Sequence, residues 1–404
     1  MKKLCLLLAF IMLFLCGCNA QDDDSGRRRR KDRETEEEIQ EITTVTEVSR
    51  MGYAVAAGEN IYYWQYDSSA YGDGALMGFF TDGSPATLVR LDKEGETKEL
   101  VTSRTASVFV HTGGSIYYVD IDQIYHLNLD TLETTLVTAG ALVDVDEAGS
   151  YLIISLDGKY HSYNIAKQEF TALFSDGSYE GYNNGVVYYS TRPSDGNLSA
   201  HGQVNLHAVN IDGIDPRLLV TTQPDLYDYS GTGWAEIEQL RFSDDAAYFS
   251  YGSVAGSGGF YQGGKIMRVP FDGSTPEVVA GQDELVSADF GINSDGSVTV
   301  YEDSYTPYYS GHTQYFESQE GLFWMDRKTG VIQKLMGLSD YETLIKCDAA
   351  FVSLCDVWEN VSILTLNYTD IDPSQAMGWR DYYVRLKTVT YKLENGVLTE
   401  LYSF

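Results

Sequence analysis

Short apolar runs alternate with polar turns along most of this chain. A recurring unit consists of an alternating strand, a turn that usually contains Asp, Asn or Gly, and a second strand. Copies of this unit occupy residues 88–101, 124–137, 160–174, 206–220, 266–279, 322–335 and 390–402. We find no convincing 3.6-residue apolar period in this region, so the pattern predicts strands rather than helices.

Each copy follows another hairpin, whose second strand is rich in aromatic or β-branched residues. These second strands occupy residues 61–64, 116–119, 151–154, 186–189, 247–249, 298–301 and 361–364. Four short strands per unit, repeated radially, form a β-propeller. We therefore predict an all-β propeller domain over residues 42–404 with seven four-stranded blades. Six or eight blades, two sandwiches and an open β-solenoid remain alternatives, and residues 42–48 are candidates for a strand that closes the ring.

The N-terminus has the layout of an export signal. Lys2 and Lys3 precede an apolar stretch at 4–15, which is shorter than the roughly 20 residues that span a bilayer. The following Leu-Cys-Gly-Cys resembles the bacterial lipoprotein box, which implies cleavage before Cys18 and lipidation of its thiol. We therefore expect a lipoprotein signal peptide at 1–17, a charged disordered tether at 18–41, and a membrane-anchored protein that faces outside the cytoplasm. An ordinary signal peptide remains the alternative.

Composition limits the partners of the chain. The sequence has 28 basic and 59 acidic residues, a net charge of −31, which repels phosphate backbones and excludes nucleic acid as the expected partner. At 43%, the hydrophobic fraction is sufficient for a buried core. Cys347 and Cys355 could form a disulfide or remain two buried thiols.

Two motifs resemble a known family. Residues 266–274 (IMRVPFDGS) with Val278 and Val279 look like the blade motif of the low-density-lipoprotein-receptor type of propeller, and 117–120 (YYVD) resembles its Tyr-Trp-Thr-Asp strand. The region from 45 to 404 is similar to bacterial lipoproteins that carry such a receptor-like propeller. This resemblance implies a six- or seven-bladed binding platform without catalytic residues.

Long segments between the second and third strands of several units are rich in aromatic residues and glycine. Loops often carry function, and Tyr and Trp give rigid contact area with a polar group. If these segments crowd on one side of the propeller, they form a ligand-binding face. The candidate ligand-binding residues are Tyr66, Tyr71, Tyr227, Tyr229, Trp234, Phe260, Tyr261, Tyr305, Tyr308, Tyr309, Tyr315 and Trp379. The alternative is that these rings only pack the loops onto the rim.

Catalytic and cofactor motifs are weak. Residues 259–265 match most of a phosphate-binding loop but lack the following Ser or Thr. Acidic pairs are typical of turns, the histidines share no register, and we expect no metal and no cofactor. Carboxylate pairs of the glycosidase type depend on spatial separation, and Asp73, Asp303 and Glu317 are candidates near the tyrosines.

These observations favour a non-catalytic lipoprotein whose propeller binds a protein or a cell-envelope glycan or peptide. One alternative is a glycan-active enzyme that uses paired carboxylates on the same face. Another is a scaffold in an envelope assembly complex. Two carboxylates about 5 to 10 Å apart within the aromatic face would favour the enzyme.

Overall fold

The structure is a computed structural model that describes part of the chain. The described residues are 50–66, 84–192, 203–222, 234–255, 260–282, 286, 289–301, 314–317, 321–326, 328–337, 350–358, 361–369 and 386–403. All of them belong to one compact unit, Thr46–Phe404. They form 30 strands and no helix. Consequently, the described part of the chain contains no helical segment with the length and hydrophobicity to cross a lipid bilayer.

The strands follow one another along the chain in short antiparallel hairpins. The first fifteen are β1 (Arg50–Gly52), β2 (Ala54–Ala57), β3 (Asn60–Tyr66), β4 (Ser84–Leu91), β5 (Thr97–Ala106), β6 (Phe109–Thr112), β7 (Ser115–Asp120), β8 (Gln123–Asn128), β9 (Thr134–Ala139), β10 (Ala141–Val145), β11 (Tyr151–Leu156), β12 (Lys159–Asn164), β13 (Glu169–Phe174), β14 (Ser178–Asn183) and β15 (Val186–Thr191). The others are β16 (Asn205–Asn210), β17 (Arg217–Thr221), β18 (Trp234–Phe242), β19 (Ala246–Ala255), β20 (Phe260–Pro270), β21 (Glu277–Ala280), β22 (Phe290–Ile292), β23 (Val298–Val300), β24 (Gln314–Glu317), β25 (Gly321–Met325), β26 (Ile332–Gly337), β27 (Ala350–Trp358), β28 (Val361–Thr369), β29 (Leu386–Glu394) and β30 (Val397–Ser403).

These strands form a series of small antiparallel sheets. Five sheets have four strands in chain order: β2–β5, β10–β13, β14–β17, β18–β21 and β27–β30. A five-stranded sheet has the order β1-β6-β7-β8-β9, and among the described residues β22–β23 and β24–β26 form separate smaller sheets. The predicted all-β propeller fold is confirmed. Each repeat copy coincides with a strand pair, from β4–β5 at the first copy to β29–β30 at the last.

The tight turns follow the sequence signals. Leu156 pairs with Lys159 across a two-residue turn, in which Asp157 and Gly158 have φ values of 49° and 73°. Positive φ at both central positions is the geometry of a type I′ hairpin turn, for which Asp-Gly is a preferred pair. The shortest predicted hairpin is thus formed by the residues that the turn requires.

The second strands form the core because both of their faces are covered. In β3, residues Ile61, Tyr62, Tyr63 and Trp64 are all at most 8% exposed. A strand packed on only one face would alternate buried and exposed positions, whereas these runs are continuously apolar. Burial of each large side chain contributes roughly 1.5–3 kcal/mol relative to exposure. Similar clusters join neighbouring sheets, as where Tyr188 shares a cluster with Phe249.

Among the described residues, the two ends of the propeller meet through side chains and share no strand. All four strands of the β27–β30 sheet come from the C-terminal part of the chain, and β1 pairs instead with β6. The Tyr402 hydroxyl donates to the Trp64 carbonyl at 3.1 Å, and the Tyr402 ring stacks on Tyr63 at 5.9 Å between centroids. Residues 42–48, which we considered as a closing strand, lie outside the described residues.

Some segments that we interpreted as insertion loops continue the strands. In the segment 251–264, β19 extends to Ala255 and β20 begins at Phe260, so that Ala255 pairs with Phe260. The aromatic Tyr251 in this segment is fully buried. Strand extension keeps the backbone polar groups paired, which a long irregular loop would leave to solvent.

Candidate functional site

A cavity of about 610 Å³ lies among the first strands of three successive sheets. We call it the central cavity. Its walls are formed mainly by Leu142–Val145 of β10, Tyr179–Asn183 of β14 and Glu238–Phe242 of β18. Met51, Tyr53, Val108, Glu147 and Lys328 complete the lining. A volume of this size is typical of small-molecule sites.

β-Bulges in two of these first strands place acidic residues in the cavity wall. In β14 the register with β15 jumps from Tyr179 to Gly181, and in β18 the register with β19 jumps from Ile237 to Gln239. The skipped residues are Glu180 and Glu238. A bulged residue stands outside the hydrogen-bond ladder and can be aimed away from the regular alternation. Both glutamates line the central cavity and are half-buried.

Burial changes the acidity of Glu180. The Ser190 hydroxyl donates a hydrogen bond of 2.5 Å to its Oε1. Burial raises the pKa of Glu180 to about 8, and the negative charges of Glu236 and Glu238 add to that rise, while the bond from Ser190 opposes it. At neutral pH this carboxyl group is therefore mainly protonated and can donate a proton.

Glu238 has a similar but weaker shift. Burial raises its pKa to about 7, and the negative charges of Glu236 and Asp289 and a hydrogen bond with Glu236 add to the rise. Glu236 also forms an ion pair with Arg192, at 3.3 Å between Oε2 and Nη2. Two neighbouring carboxyl groups thus change ionisation at different points near neutral pH.

Asp144 is a further acidic residue of the cavity wall, and hydrogen bonds fix its position. The Tyr179 hydroxyl donates to Asp144 Oδ2 at 2.5 Å, and the Val145 backbone N–H donates to Asp144 Oδ1 at 2.9 Å. Asp144 is only 9% exposed. Because both of its oxygens accept bonds, Asp144 holds Tyr179 beside Glu180 and joins the β10 and β14 walls.

The β18 wall continues into buried polar residues. Gln239 and Arg241 are 5% and 4% exposed. Arg241 Nη2 lies 3.5 Å from Met325 Sδ, and the Phe242 N–H donates to the Lys328 carbonyl at 2.8 Å. Within the described ranges, no group of three or more His, Cys, Asp or Glu side chains is arranged to hold a metal ion. The chemistry that this arrangement supports is acid–base chemistry by carboxyl groups.

The structure describes only part of the candidate binding set from the sequence. Tyr66 ends β3 opposite Ala86 and is 4% exposed in the core. Backbone positions alone are described for Trp234 at the start of β18, Phe260 and Tyr261 at the start of β20, and Tyr315 in β24. The remaining candidates lie outside the described residues: Tyr71, Tyr227, Tyr229, Tyr305, Tyr308, Tyr309 and Trp379. The aromatic binding face therefore stays a prediction.

The carboxyl groups that the structure describes in the central cavity are ones that the sequence analysis did not propose. Asp73 and Asp303 lie outside the described residues, and only the backbone of Glu317 is described, at the end of β24. Sequence reasoning missed Glu180 and Glu238. The signal in the sequence was an acidic residue within the first strand of a unit, next to Tyr179 and Ile237 respectively.

Comparisons with known proteins concern the fold. No family model matches the sequence, and the curated proteins contain no match. Among solved structures, the chain is similar to an acylaminoacyl peptidase from Pyrococcus horikoshii, with 13% identity and a TM-score of 0.46. The match covers 89% of this chain and 53% of that one, so this chain spans about half of the peptidase's length.

Two further similar structures cover most of their own chains. One is the β-propeller domain of the Trilobed protease from Pyrococcus furiosus, with 11% identity, a TM-score of 0.44, and coverage of 88% of this chain and 96% of that one. The other is an oligogalacturonate lyase from Vibrio parahaemolyticus, with 13% identity, a TM-score of 0.31, and coverage of 71% and 86%. The series of small antiparallel sheets supports the family resemblance stated from the sequence as far as a propeller.

The functional expectation from the sequence needs correction. We expected a binder without catalysis, whereas the central cavity contains two carboxyl groups with raised pKa values, which the sequence analysis did not anticipate. We therefore do not retain the non-catalytic interpretation. The chain is a β-propeller whose central cavity contains the elements of an acid–base site.

Proposed function

We propose that the protein is a glycan-cleaving enzyme that works by general acid–base catalysis in the central cavity. The observation that carries this proposal is the placement of Glu180 and Glu238, at bulges of two neighbouring sheets, in the walls of one cavity, where burial raises the pKa of both carboxyl groups. Glycosidases divide the reaction between two such carboxyl groups, and an environment that separates their pKa values assigns the roles.

In the proposed reaction Glu180 donates its proton to the oxygen of the scissile glycosidic bond. Glu238, ionised above its pKa of about 7, accepts a proton from a water molecule that attacks the anomeric carbon. The carbon–oxygen bond to the leaving sugar breaks as the bond to water forms. One proton leaves Glu180 and one arrives on Glu238, so the two carboxyl groups exchange protonation states and are reset through solvent.

The direct test is release of reducing ends from soluble glycans. We would incubate the purified full chain with cell-wall glycan strands, chitin oligomers, chitosan oligomers and polygalacturonate at pH 7.5. Glu180→Gln and Glu238→Gln should each lower kcat by at least about 100-fold on any glycan that is cleaved, because each removes one proton-transfer group. Glu169→Gln, on the exposed start of β13, is the charge-matched control and should leave kcat unchanged.

The pH profile provides an independent readout. Activity should rise as Glu238 ionises near pH 7 and fall as Glu180 ionises near pH 8, which gives a narrow bell. Failure of the folded wild-type chain to cleave any of these glycans would overturn the proposal, as would full activity in both glutamine variants.

We also propose that the protein is exported and held on the outer side of the cell membrane by a lipid on Cys18. The lipoprotein-like box and the charged segment at 18–41 support this placement. These residues lie outside the described part of the chain. Cys18→Ser should shift the protein from the membrane fraction to the soluble fraction, and unchanged membrane retention would contradict the proposal.

A further inference from the structure

We propose that a second cavity, between the sheets β14–β17 and β18–β21, binds a small carboxylate with an apolar chain, and that Arg217 and Tyr188 hold the carboxylate group. We call this cavity the side cleft. Its volume is about 420 Å³, within the range of small-molecule sites. Neither Glu180 nor Glu238 lines it, so the inference is independent of the proposed function.

The floor of the side cleft is apolar. Val186 of β15, Leu219 of β17 and Val269 of β20 line it, and all three belong to or pack against the core cluster that joins the two sheets. Pro270 and Phe271, from the turn after β20, form part of the opposite wall, and Phe271 is 43% exposed. A recessed apolar surface beside an exposed aromatic ring can cover an apolar chain.

Arg217 gives the side cleft its charge. Among the described residues, it is the one charged side chain in the lining. The whole chain has a net charge of −31, so a lining with a cation and no carboxylate is a local reversal of sign. An anionic group is therefore the charged partner that this lining favours.

An ion pair with Asp215 leaves most of the Arg217 guanidinium available. Arg217 Nη1 donates to Asp215 Oδ2 at 2.8 Å and to the Asp215 carbonyl at 3.3 Å. Asp215 does not line the side cleft, and its side chain is 63% exposed, so the pair is screened by solvent. Within the described ranges, Nε and Nη2 of Arg217 make no hydrogen bond. Their parallel N–H groups match the two oxygens of a carboxylate.

Tyr188 supplies a further donor in the same row of the sheet. Tyr188 is paired with Ala208, and Ala208 with Arg217, so the three residues lie on one face of adjacent strands. Ala208 has only a methyl group, which allows the two longer side chains to converge over it. Tyr188 lines the side cleft and is 4% exposed, and its hydroxyl has no hydrogen-bond partner among the described residues.

The ionisation of Tyr188 fits the role of a donor. Burial raises its pKa to about 12, and the nearby positive charge of Arg217 opposes that rise. The hydroxyl therefore keeps its proton at neutral pH. Two N–H groups and one O–H group satisfy a single carboxylate, whereas a phosphate monoester would bring a second negative charge to a single cation.

The experiment compares octanoate with octanol, which has the same chain and no charge. Binding to the purified full chain would be measured by calorimetry at pH 7.5 and about 0.15 M salt, which screens distant charges. We expect octanoate to bind at least about tenfold more tightly than octanol, because its bonds to Arg217 are charge-assisted. From hexanoate to octanoate the affinity should rise roughly fourfold per added methylene, as burial of the chain requires.

Variants test the two donors. Arg217→Gln and Tyr188→Phe should each weaken octanoate binding at least about fivefold and leave octanol binding unchanged. Tyr188→Phe keeps the ring that packs against Phe242, at 5.0 Å between centroids. Asp215→Asn should bind octanoate at least as tightly as the wild type, because it releases Arg217 Nη1.

Arg104→Gln is the matched control. Arg104 is also an exposed arginine in an ion pair, with 2.9 Å between its Nη2 and Asp120 Oδ2. This variant makes the same change in net charge as Arg217→Gln and should bind octanoate like the wild type. Circular dichroism and urea unfolding would verify that each variant is folded.

Several results would overturn the inference. They are equal affinity for octanoate and octanol, absence of octanoate binding up to millimolar concentrations, and an octanoate affinity that Arg217→Gln and Tyr188→Phe leave unchanged. An N-acetylated Ala-Ala-Leu peptide with a free C-terminus provides the last comparison. Tighter binding of this peptide than of octanoate would assign the side cleft to peptide ends and overturn the inference as stated.

Discussion

At the scale of single residues, burial makes the ionised form of Glu180 unfavourable and raises its pKa. Its side chain is held in a cavity wall where solvent is scarce, with a short bond from Ser190 at one oxygen. Burial of a carboxylate is unfavourable, so the protonated form is retained to an unusually high pH. The same property that makes Glu180 a proton donor makes its ionised form destabilising.

The stability of the protein should therefore depend on pH through Glu180. Its pKa rises from 4.5 to about 8 on folding, so the folded state binds more protons than the unfolded state between these values. The stabilising effect of this protonation is complete below pH 4.5 and is lost as the pH rises through 8. Glu180→Gln should thus raise the free energy of unfolding at pH 9, by up to about 5 kcal/mol.

Urea unfolding of the wild type and the variant at pH 5 and pH 9 measures this difference. The gain from Glu180→Gln should be much larger at pH 9 than at pH 5. Glu169→Gln should show the same difference from wild type at both pH values. A gain from Glu180→Gln that does not change with pH would show that burial does not control this group.

At the scale of the strands, the first strands of several sheets contain a bulge. Bulges occur between Leu142 and Asp144 in β10 and between Val352 and Leu354 in β27, as well as at Glu180 and Glu238. Because an extra residue interrupts the alternation, the side chain that should face a sheet neighbour is redirected. The same device therefore recurs at the start of several sheets.

The position just before β14 requires glycine, because two backbone segments approach each other closely there. Gly177 has a φ of 118°, and a Cβ at this position would overlap the carbonyl oxygen of Ser190. Gly177→Ala should lower the free energy of unfolding by more than about 2 kcal/mol, because both the backbone conformation and the contact must change. The change should also disturb Ser190, which holds Glu180.

Gly158 provides the matched comparison. Its φ is 73°, and a Cβ there would meet nothing within 4 Å. Gly158→Ala should cost only about 1 kcal/mol, the penalty of a left-handed conformation for alanine. Urea denaturation of both variants compares the two costs, and equal losses would mean that the contact with Ser190 contributes nothing.

The strands were predictable from the sequence, whereas the bulges were not. Second strands such as 61–64 are apolar at every position because both faces are buried, and their turns contain residues that tolerate positive φ. A bulge depends on how two strands pair, and a single sequence does not state that register. The sequence therefore contains Glu180 and Glu238 but does not show that the fold brings them together.

At the scale of the whole molecule, the first and last sheets hold each other by side-chain contacts. The Tyr402 hydroxyl bonds to the Trp64 carbonyl, and the ring stacks on Tyr63. Residues from both ends share one core cluster, in which Ile363 of β28 packs with the aromatic residues of β3. The central cavity combines the first strands of three successive sheets, and sequence reasoning could place these repeats but not the packing that brings their side chains together.

Tyr402 should therefore matter more than its position near the C-terminus suggests. Tyr402→Phe removes one hydrogen bond and should cost about 1 kcal/mol, whereas Tyr402→Ala also removes the stacked ring and should cost about 2 to 3 kcal/mol. Val397→Ala, at a position of the same strand that is 63% exposed, should change stability by less than about 0.5 kcal/mol. A different order of stabilities in urea unfolding would show that Tyr402 does not hold the first and last sheets together.

The bulges also bear on how this scaffold can diversify. A bulged residue takes no part in the hydrogen-bond ladder between the strands, so its side chain can vary while the sheet keeps its pairing. In β10 the equivalent position is Val143, and in β27 it is Ser353. Val143 lines the central cavity, so a mutation at this position would change the surface of the cavity and leave the strand pairing intact, and one functional group could replace another on the same fold.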